Sequence, residues 1–422
     1  MKKILALILI VSGTLNASTY VVSPYTNDIV TSMQGVATAA SNGDEIVLPS
    51  GSFPCIGTVT ITKFISIRGQ GLSNTILYRP ETASDANVTS WLNIIRYATN
   101  SLSSSNIVIQ GVCFKSKNPC LSSTLDVNGN DVTALDGLSL ASDCAIEMSG
   151  CKDFLITKCR FENFGSSAIA VYHDDSIVGG VISKNQFYHN SKGTGALGLG
   201  YGVVVYGSNT KWLSNPRFGT SNFIFIEDNY FDYHKHTIAA GGCALYVFRH
   251  NAVLNSVAGS STAAIDMHEA RGPGHGSNTF ATRAAEIYND SCVNNTFRNG
   301  TGTAGLADNT PYYSTTYTVT NVTTRIQQLT EAGIKPRAGE ALIHDNYLRG
   351  FRFGLALAAT AYCGGSCGSY PIPYQEGYLS GLRLGSSAYG VSGGADQGDC
   401  FIWNNTVKLY DSTSSVNKYI YN

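Results

Sequence analysis

The chain has 422 residues, and its 28 lysines and arginines against 29 aspartates and glutamates leave a formal charge of −1. That balance, with no basic cluster, excludes the electrostatic footprint a nucleic-acid partner requires. Past the first residues no segment is apolar enough to span a bilayer.

Met1-Lys2-Lys3, the apolar run Ile4 to Val11 and the small pair Ala17-Ser18 form a secretory signal peptide over residues 1–17. Cleavage near Ala17 predicts a protein exported to the periplasm, the cell surface or the medium. Eleven cysteines in an exported chain predict some disulfides and at least one free thiol. Cys363-Gly-Gly-Ser-Cys367 is the candidate local bridge. It lacks the second pair a zinc site needs. Cys159 and Cys292 fall inside repeats and are expected to be buried there.

Asp28 to Ala40 reads as an amphipathic helix, followed by the alternating strands Val59 to Thr62 and Ile65 to Gly71. A helix at this point would cover the open end of a stack. Downstream a phrase recurs: Ile182-Ser-Lys-Asn185-Gln-Phe187 and Ile226-Glu-Asp-Asn229-Tyr-Phe231, with looser copies at Ile156, Phe248, Ile343 and Ile402. Asn229 and Asn251 are 22 residues apart, and Cys159 and Asn185 are 26 apart. Such a period marks one coil of a solenoid whose units share a core.

The opening helix and strands, with these coils behind them, resemble the right-handed parallel β-helix proteins of the pectate-lyase-like group. The resemblance covers nearly the whole mature chain. It implies an all-β, single-domain right-handed parallel β-helix over residues 18–422, with an N-terminal capping helix and long loops on one side. It implies no single activity, because that group includes lyases, hydrolases, epimerases, adhesins and phage spikes.

In such coils Ile and Phe point inward, and Asn185, Asn229, Asn251, Asn346 and Asn405 stack at a bend to satisfy backbone groups. His250 and His344, beside bend asparagines, are read as structural. A second phrase, Ala-Ile-x-Val, sorts by period-2 alternation. Ile146, Ile169, Val203, Ile265 and Leu355 face inward. Glu147, Ala170 with Tyr172, Val204 with Tyr206, Asp266 with His268, and Ala356 with Ala358 share an outer face. Asn190 to Lys211, Arg298 to Gly339 and Ala361 to Asp399 are long connections that would wall a cleft.

The densest chemistry is Asp266-Met-His268-Glu269-Ala-Arg271, with Arg283 shortly after. A carboxylate, an imidazole and guanidinium groups on one surface can hold an acidic sugar and move a proton. The expected catalytic set is Asp266, His268, Arg271 and Arg283. Tyr172, Tyr206, His234, His236 and Glu269 are expected to bind substrate. His173-Asp174-Asp175 could take a cation, so calcium is compatible with this reading, and whether the protein requires it is left open. Polygalacturonase motifs are not reproduced: Asp174-Asp175 and Gly274-His275-Gly276 lie 100 residues apart. Ile265-Asp266-Met267-His268 only partly resembles the Trp-Ile-Asp-His phrase of classical pectate lyases. No catalytic apparatus transfers residue by residue.

These residues predict an enzyme acting on an acidic polysaccharide, a lyase ahead of a hydrolase. His268 would remove the ring proton beside the uronate, Asp266 would orient it, and Arg271 and Arg283 would neutralise the carboxylate. Hydrolysis would instead need two opposed carboxylates, such as Asp266 with Asp174 or Glu269. The alternative is a non-catalytic glycan-binding or adhesive surface protein. The oligomeric state is left open.

Overall fold

The computed structural model describes residues 17–24, 27–80, 92–99, 106–116, 143–172, 179–190, 200–207, 218–242, 244–256, 263–267, 282, 284–293, 332–336, 340–349, 353–355, 400–408 and 419–420. Among them the chain forms three long sheets of eleven, eleven and nine strands, here sheets A, B and C. All pairings are parallel except that of Thr406–Lys408 with Tyr419–Ile420. Each coil visits the sheets in turn, as Phe154–Thr157 in A, Arg160–Glu162 in B and Ser167–Tyr172 in C. The protein is the right-handed parallel β-helix that its repeats imply.

The core runs along the axis because all three sheets turn their apolar residues inward, by strict alternation in most strands of sheets A and B. Phe114, Phe161, Phe187 and Phe231 of sheet B stack through it, with successive ring centroids 5.3, 4.9 and 4.4 Å apart, and Phe248 of sheet A tilts against Phe231 at 5.8 Å. Parallel coils bring equivalent residues into register, so like side chains meet at near strand spacing and aromatic rings lie offset.

The bend between sheets A and B carries the asparagine ladder. Asn185 donates its main-chain N–H and its amide to Asn229 Oδ1, at 3.0 and 3.1 Å. Asn229 does the same to Asn251, also at 3.0 and 3.1 Å. The residue before each rung is left-handed: Lys184, Asp228, His250, Asn289, Asp345 and Asn404 have φ between 50 and 56°. That strain persists because the buried rung ties the bend down. Cys159 takes a rung position and receives only the Asn185 oxygen, its N–H donating to it at 2.9 Å.

The N-terminal helix spans Ile29–Ala39, and the Asp28 carboxylate caps it by accepting from Val30 N–H at 3.1 Å. Ile29, Val30, Met33 and Ala37 form its buried stripe. Gln34 also hydrogen-bonds the backbone of Thr60 twice, at 2.8 and 3.0 Å. Thr60 lies in Val59–Ile61, the outermost strand of sheet C, so the helix satisfies an edge that would otherwise invite pairing.

Two expectations change. Of the long connections, Asn190 to Lys211 contains the sheet C strand Tyr201–Tyr206, and Arg298 to Gly339 contains Ala332–Pro336, also in sheet C. The second strand is hidden in sequence because Gly333 and Pro336 break its alternation. The cysteines Cys55, Cys113, Cys144, Cys151, Cys159 and Cys292 are all buried free thiols. Cys159 and Cys292 therefore sit where their repeats put them. Cys363 and Cys367 lie outside the described residues.

Candidate functional site

The outer face of sheet C gathers most of the described candidate residues, and backbone register sets their columns. One column runs Arg96, Glu147, Ala170, Val204, Ala239, Asp266. A second runs Ser149, Tyr172, Tyr206, Gly241. Both follow from alternation, as the sequence predicts. A third does not. In each strand two successive residues turn inward, as Ala145-Ile146, Ala168-Ile169 and Ala264-Ile265 do. This break in period sends the preceding residue outward, so Asn93, Cys144, Ser167, Tyr201 and His236 form another column. Cys144, Ala170, Tyr201, Val204 and Ala239 form a small apolar cluster apart from the main core.

His236 and Asp266 meet on neighbouring strands of this face, with the strands Ala332–Pro336 and Phe353–Leu355 beyond them. His236 Nε2 lies 3.4 Å from Asp266 Oδ2, and both side chains are buried. His236 Nδ1 is 2.5 Å from the Ala263 carbonyl oxygen, while the Ala263 amide lies farther from the same nitrogen, at 3.4 Å. The carbonyl therefore fixes the proton on Nδ1 and aims Nε2 at the carboxylate. Tyr201 stacks on the imidazole at 5.5 Å, and Lys235 Nζ lies 6.0 Å from the centre of the tyrosine ring. An imidazole and a carboxylate so held can share and transfer a proton. Asp266 is on the outer face as predicted, but it is closed to solvent.

Tyr172 and Tyr206 stack at 5.2 Å in mid-face, both partly exposed. Burial, above all, pushes the Tyr172 phenol up, reinforced by Tyr206, Cys144 and Glu147 and opposed by Arg96. Toward the N-terminal side of the face Arg96 Nε pairs with Glu147 Oε1 at 3.0 Å, and the Asn93 amide donates to the other carboxylate oxygen. Glu147 is almost fully covered, whereas the Arg96 side chain is half exposed. The guanidinium is thus oriented by a buried carboxylate and presented to solvent. Glu147 was visible in the sequence as an outward residue; Arg96 was not, because Leu92–Ala98 carries no Ala-Ile phrase.

His234 stands apart. It ends the sheet B strand Tyr230–His234, is buried, and sets Nδ1 3.3 Å from the Asn190 carbonyl. Burial lowers its imidazole to about 3, so it is neutral. A single residue, Lys235, separates His234 from His236, and the corner between the sheets turns them to different faces. His268, Glu269, Arg271, Arg283 and His173 to Asp175 lie outside the described residues. Among the described residues no three His, Cys, Asp or Glu side chains gather as metal ligands. No described helix is long and apolar enough to cross a membrane.

No family model matches the chain, and no curated protein matches it. It is similar to the solved structure of a mannuronic acid specific polysaccharide family 6 lyase from the human gut microbiota, at 12% identity and a TM-score of 0.46, covering 93% of this chain and 77% of that one. A PL6 family polysaccharide lyase from Pseudopedobacter saltans gives 11% identity and a TM-score of 0.42, covering 96% and 87%. The Dettilon tailspike protein gives 12% identity and a TM-score of 0.40, covering 79% of this chain and 53% of that one.

Proposed function

We propose that this is an exported protein that binds an acidic polysaccharide along the outer face of sheet C and cleaves it by β-elimination. The observation that carries the reading is the buried His236–Asp266 contact, on the same face as the Tyr172–Tyr206 stack and the exposed Arg96 guanidinium. A lyase must neutralise a uronate carboxylate and take the neighbouring ring proton. Arg96, oriented by Glu147, suits the first task for a sugar at its end of the face. Asp266 and His236, with His268 two residues beyond Asp266 in the chain, supply carboxylate and imidazole groups for the second. Arg271 and Arg283 are proposed to neutralise the carboxylate of the reacting unit, and Glu269 to bind beside them. Tyr172 and Tyr206 offer ring edges and hydroxyls to the polymer.

The partly exposed tyrosine stack supports a second reading, glycan binding without turnover. One experiment separates the two. Purified protein is incubated with a panel of uronate polymers, with calcium and then with chelator, while the ultraviolet absorbance of unsaturated uronate is followed. Rising absorbance that is lost in His268→Ala, with folding unchanged, is the expected result. Saturable binding with no unsaturated product and no new reducing ends would replace the lyase reading with the binding one. Activity retained in His268→Ala would remove that residue from the mechanism.

A further inference from the structure

Asp290 occupies a rung of the ladder that neighbouring coils fill with asparagine. At each asparagine rung Oδ1 accepts from the rung before, and the amide donates to a carbonyl three residues ahead of that earlier rung. Asn229 donates to Ile182 at 2.8 Å, Asn251 to Ile226 at 3.0 Å, Asn346 to Ile287 at 2.9 Å and Asn405 to Ile343 at 2.9 Å. Asp290 reproduces the accepting half: its Oδ1 takes the Asn251 N–H at 2.7 Å and the Asn251 amide at 3.0 Å. Its own N–H donates onward to Asn346 Oδ1 at 3.0 Å.

The donating half is where the carboxyl differs. The same offset from Asn251 makes the carbonyl oxygen of Phe248 the counterpart that an asparagine amide at this rung would serve. Among the described residues Oδ2 has no donor to accept from, and Asp290 is only 2% exposed. A carboxylate there would set a buried charge against a carbonyl oxygen, a costly arrangement. We infer that Asp290 is a neutral carboxylic acid at neutral pH, its Oδ2–H donating to the Phe248 carbonyl in place of the asparagine amide.

Burial pushes this carboxyl well above its ordinary value, opposed only by the two Asn251 donors. The titratable groups around it do not reverse that. Cys292, on its own coil, stays a thiol, raised by burial and by Asp290 itself. On the preceding bend Arg249 is engaged by Glu227 and by Tyr288, and His250 lies 3.8 Å from Asp228. On the following bend His344 is engaged by Asp345 at 2.7 Å and approaches Glu286 at 3.5 Å. None of these is a hydrogen-bond partner of the Asp290 carboxyl.

The consequence is a pH-sensitive clamp. Asn251 belongs to the coil that continues into Ala263–Met267 and Asp266, and Asp290 ties that coil to the next. Because the folded carboxyl titrates above the unfolded one, its contribution is full in acid and is lost as pH rises through the folded value. Melting temperatures of the full chain and of Asp290→Asn, from about pH 4 to about pH 9, test this. The asparagine variant is expected to melt higher at neutral and alkaline pH, with the gap closing toward acid. An equal or lower melting temperature at neutral pH, or a gap independent of pH, would overturn the assignment. Infrared spectra of the unmutated protein give a second reading: a protonated carboxylic acid band at neutral pH supports it, and absence of that band refutes it.

Discussion

His236 and Asp266 lie on neighbouring strands of sheet C with Nε2 and Oδ2 3.4 Å apart, one ring nitrogen already committed to the Ala263 carbonyl. Asp266→Asn keeps the volume and removes the charge. Turnover of a uronate polymer is expected to fall by about 10²–10⁴-fold, the usual worth of a positioned acid–base group. Steady-state kinetics alongside a thermal melt check it. Unchanged kcat would leave the pair a purely structural one.

Asn229 should be among the costliest polar residues to remove. Its Oδ1 accepts twice from Asn185 and its amide serves Ile182, so alanine strands several buried groups. Each such group costs about 1–3 kcal/mol. Urea unfolding of Asn229→Ala is expected to show a loss of about 2–6 kcal/mol, summing two of them. Its neighbour Asp228, exposed at the same bend, should tolerate asparagine with little change.

Acid should destabilise the fold through two histidines. Burial lowers His189 to about 4 and His234 to about 3. The unfolded chain titrates near 6.5, so below that value it binds protons that the native state refuses. Stability contributed by these sites is present above about pH 6.5 and is lost as pH falls toward the folded values. This slope is opposite to that of Asp290. His234→Gln should flatten the acid limb of a plot of melting temperature against pH, and an unaltered limb would count against the assignment.

The proposed export has a structural corollary. Ser18 N–H donates to Asp44 Oδ1 at 2.7 Å, and Asp44 is buried. Cleavage after Ala17 would convert that amide to an ammonium facing a carboxylate. Protein purified after secretion should begin at Ser18 by intact mass. Asp44→Asn should lower the melting temperature of this mature form more than that of the uncleaved chain. Equal effects on the two forms would show that the new terminus makes no ion pair.

Much of the fold is legible in the residues themselves. Ile226, Phe231 and Asn229 announce a strand, a bend and a strand because side-chain type and local period govern which atoms turn inward. The capping helix is equally plain from Asp28 and the stripe Ile29, Met33, Ala37. The candidate site is legible in part: Asp266, Tyr172 and Tyr206 follow from alternation, and Glu147 lies on the same face. Asp290 is missed as a rung because an acid stands where asparagine is expected.

What tertiary structure alone decided is which coils meet. Successive rungs are 22, 39, 56 and 59 residues apart from Asn229 onward, so no constant offset pairs one coil with the next. Register is set instead by backbone hydrogen bonds between coils, which carry no residue identity. That is why Arg96 with Glu147, and His236 with Asp266, could not be paired by reading along the chain. Ile, Asn and Phe at fixed spacing within each phrase determined that this protein would coil. The parallel pairing of unequal coils determined which charges share a face.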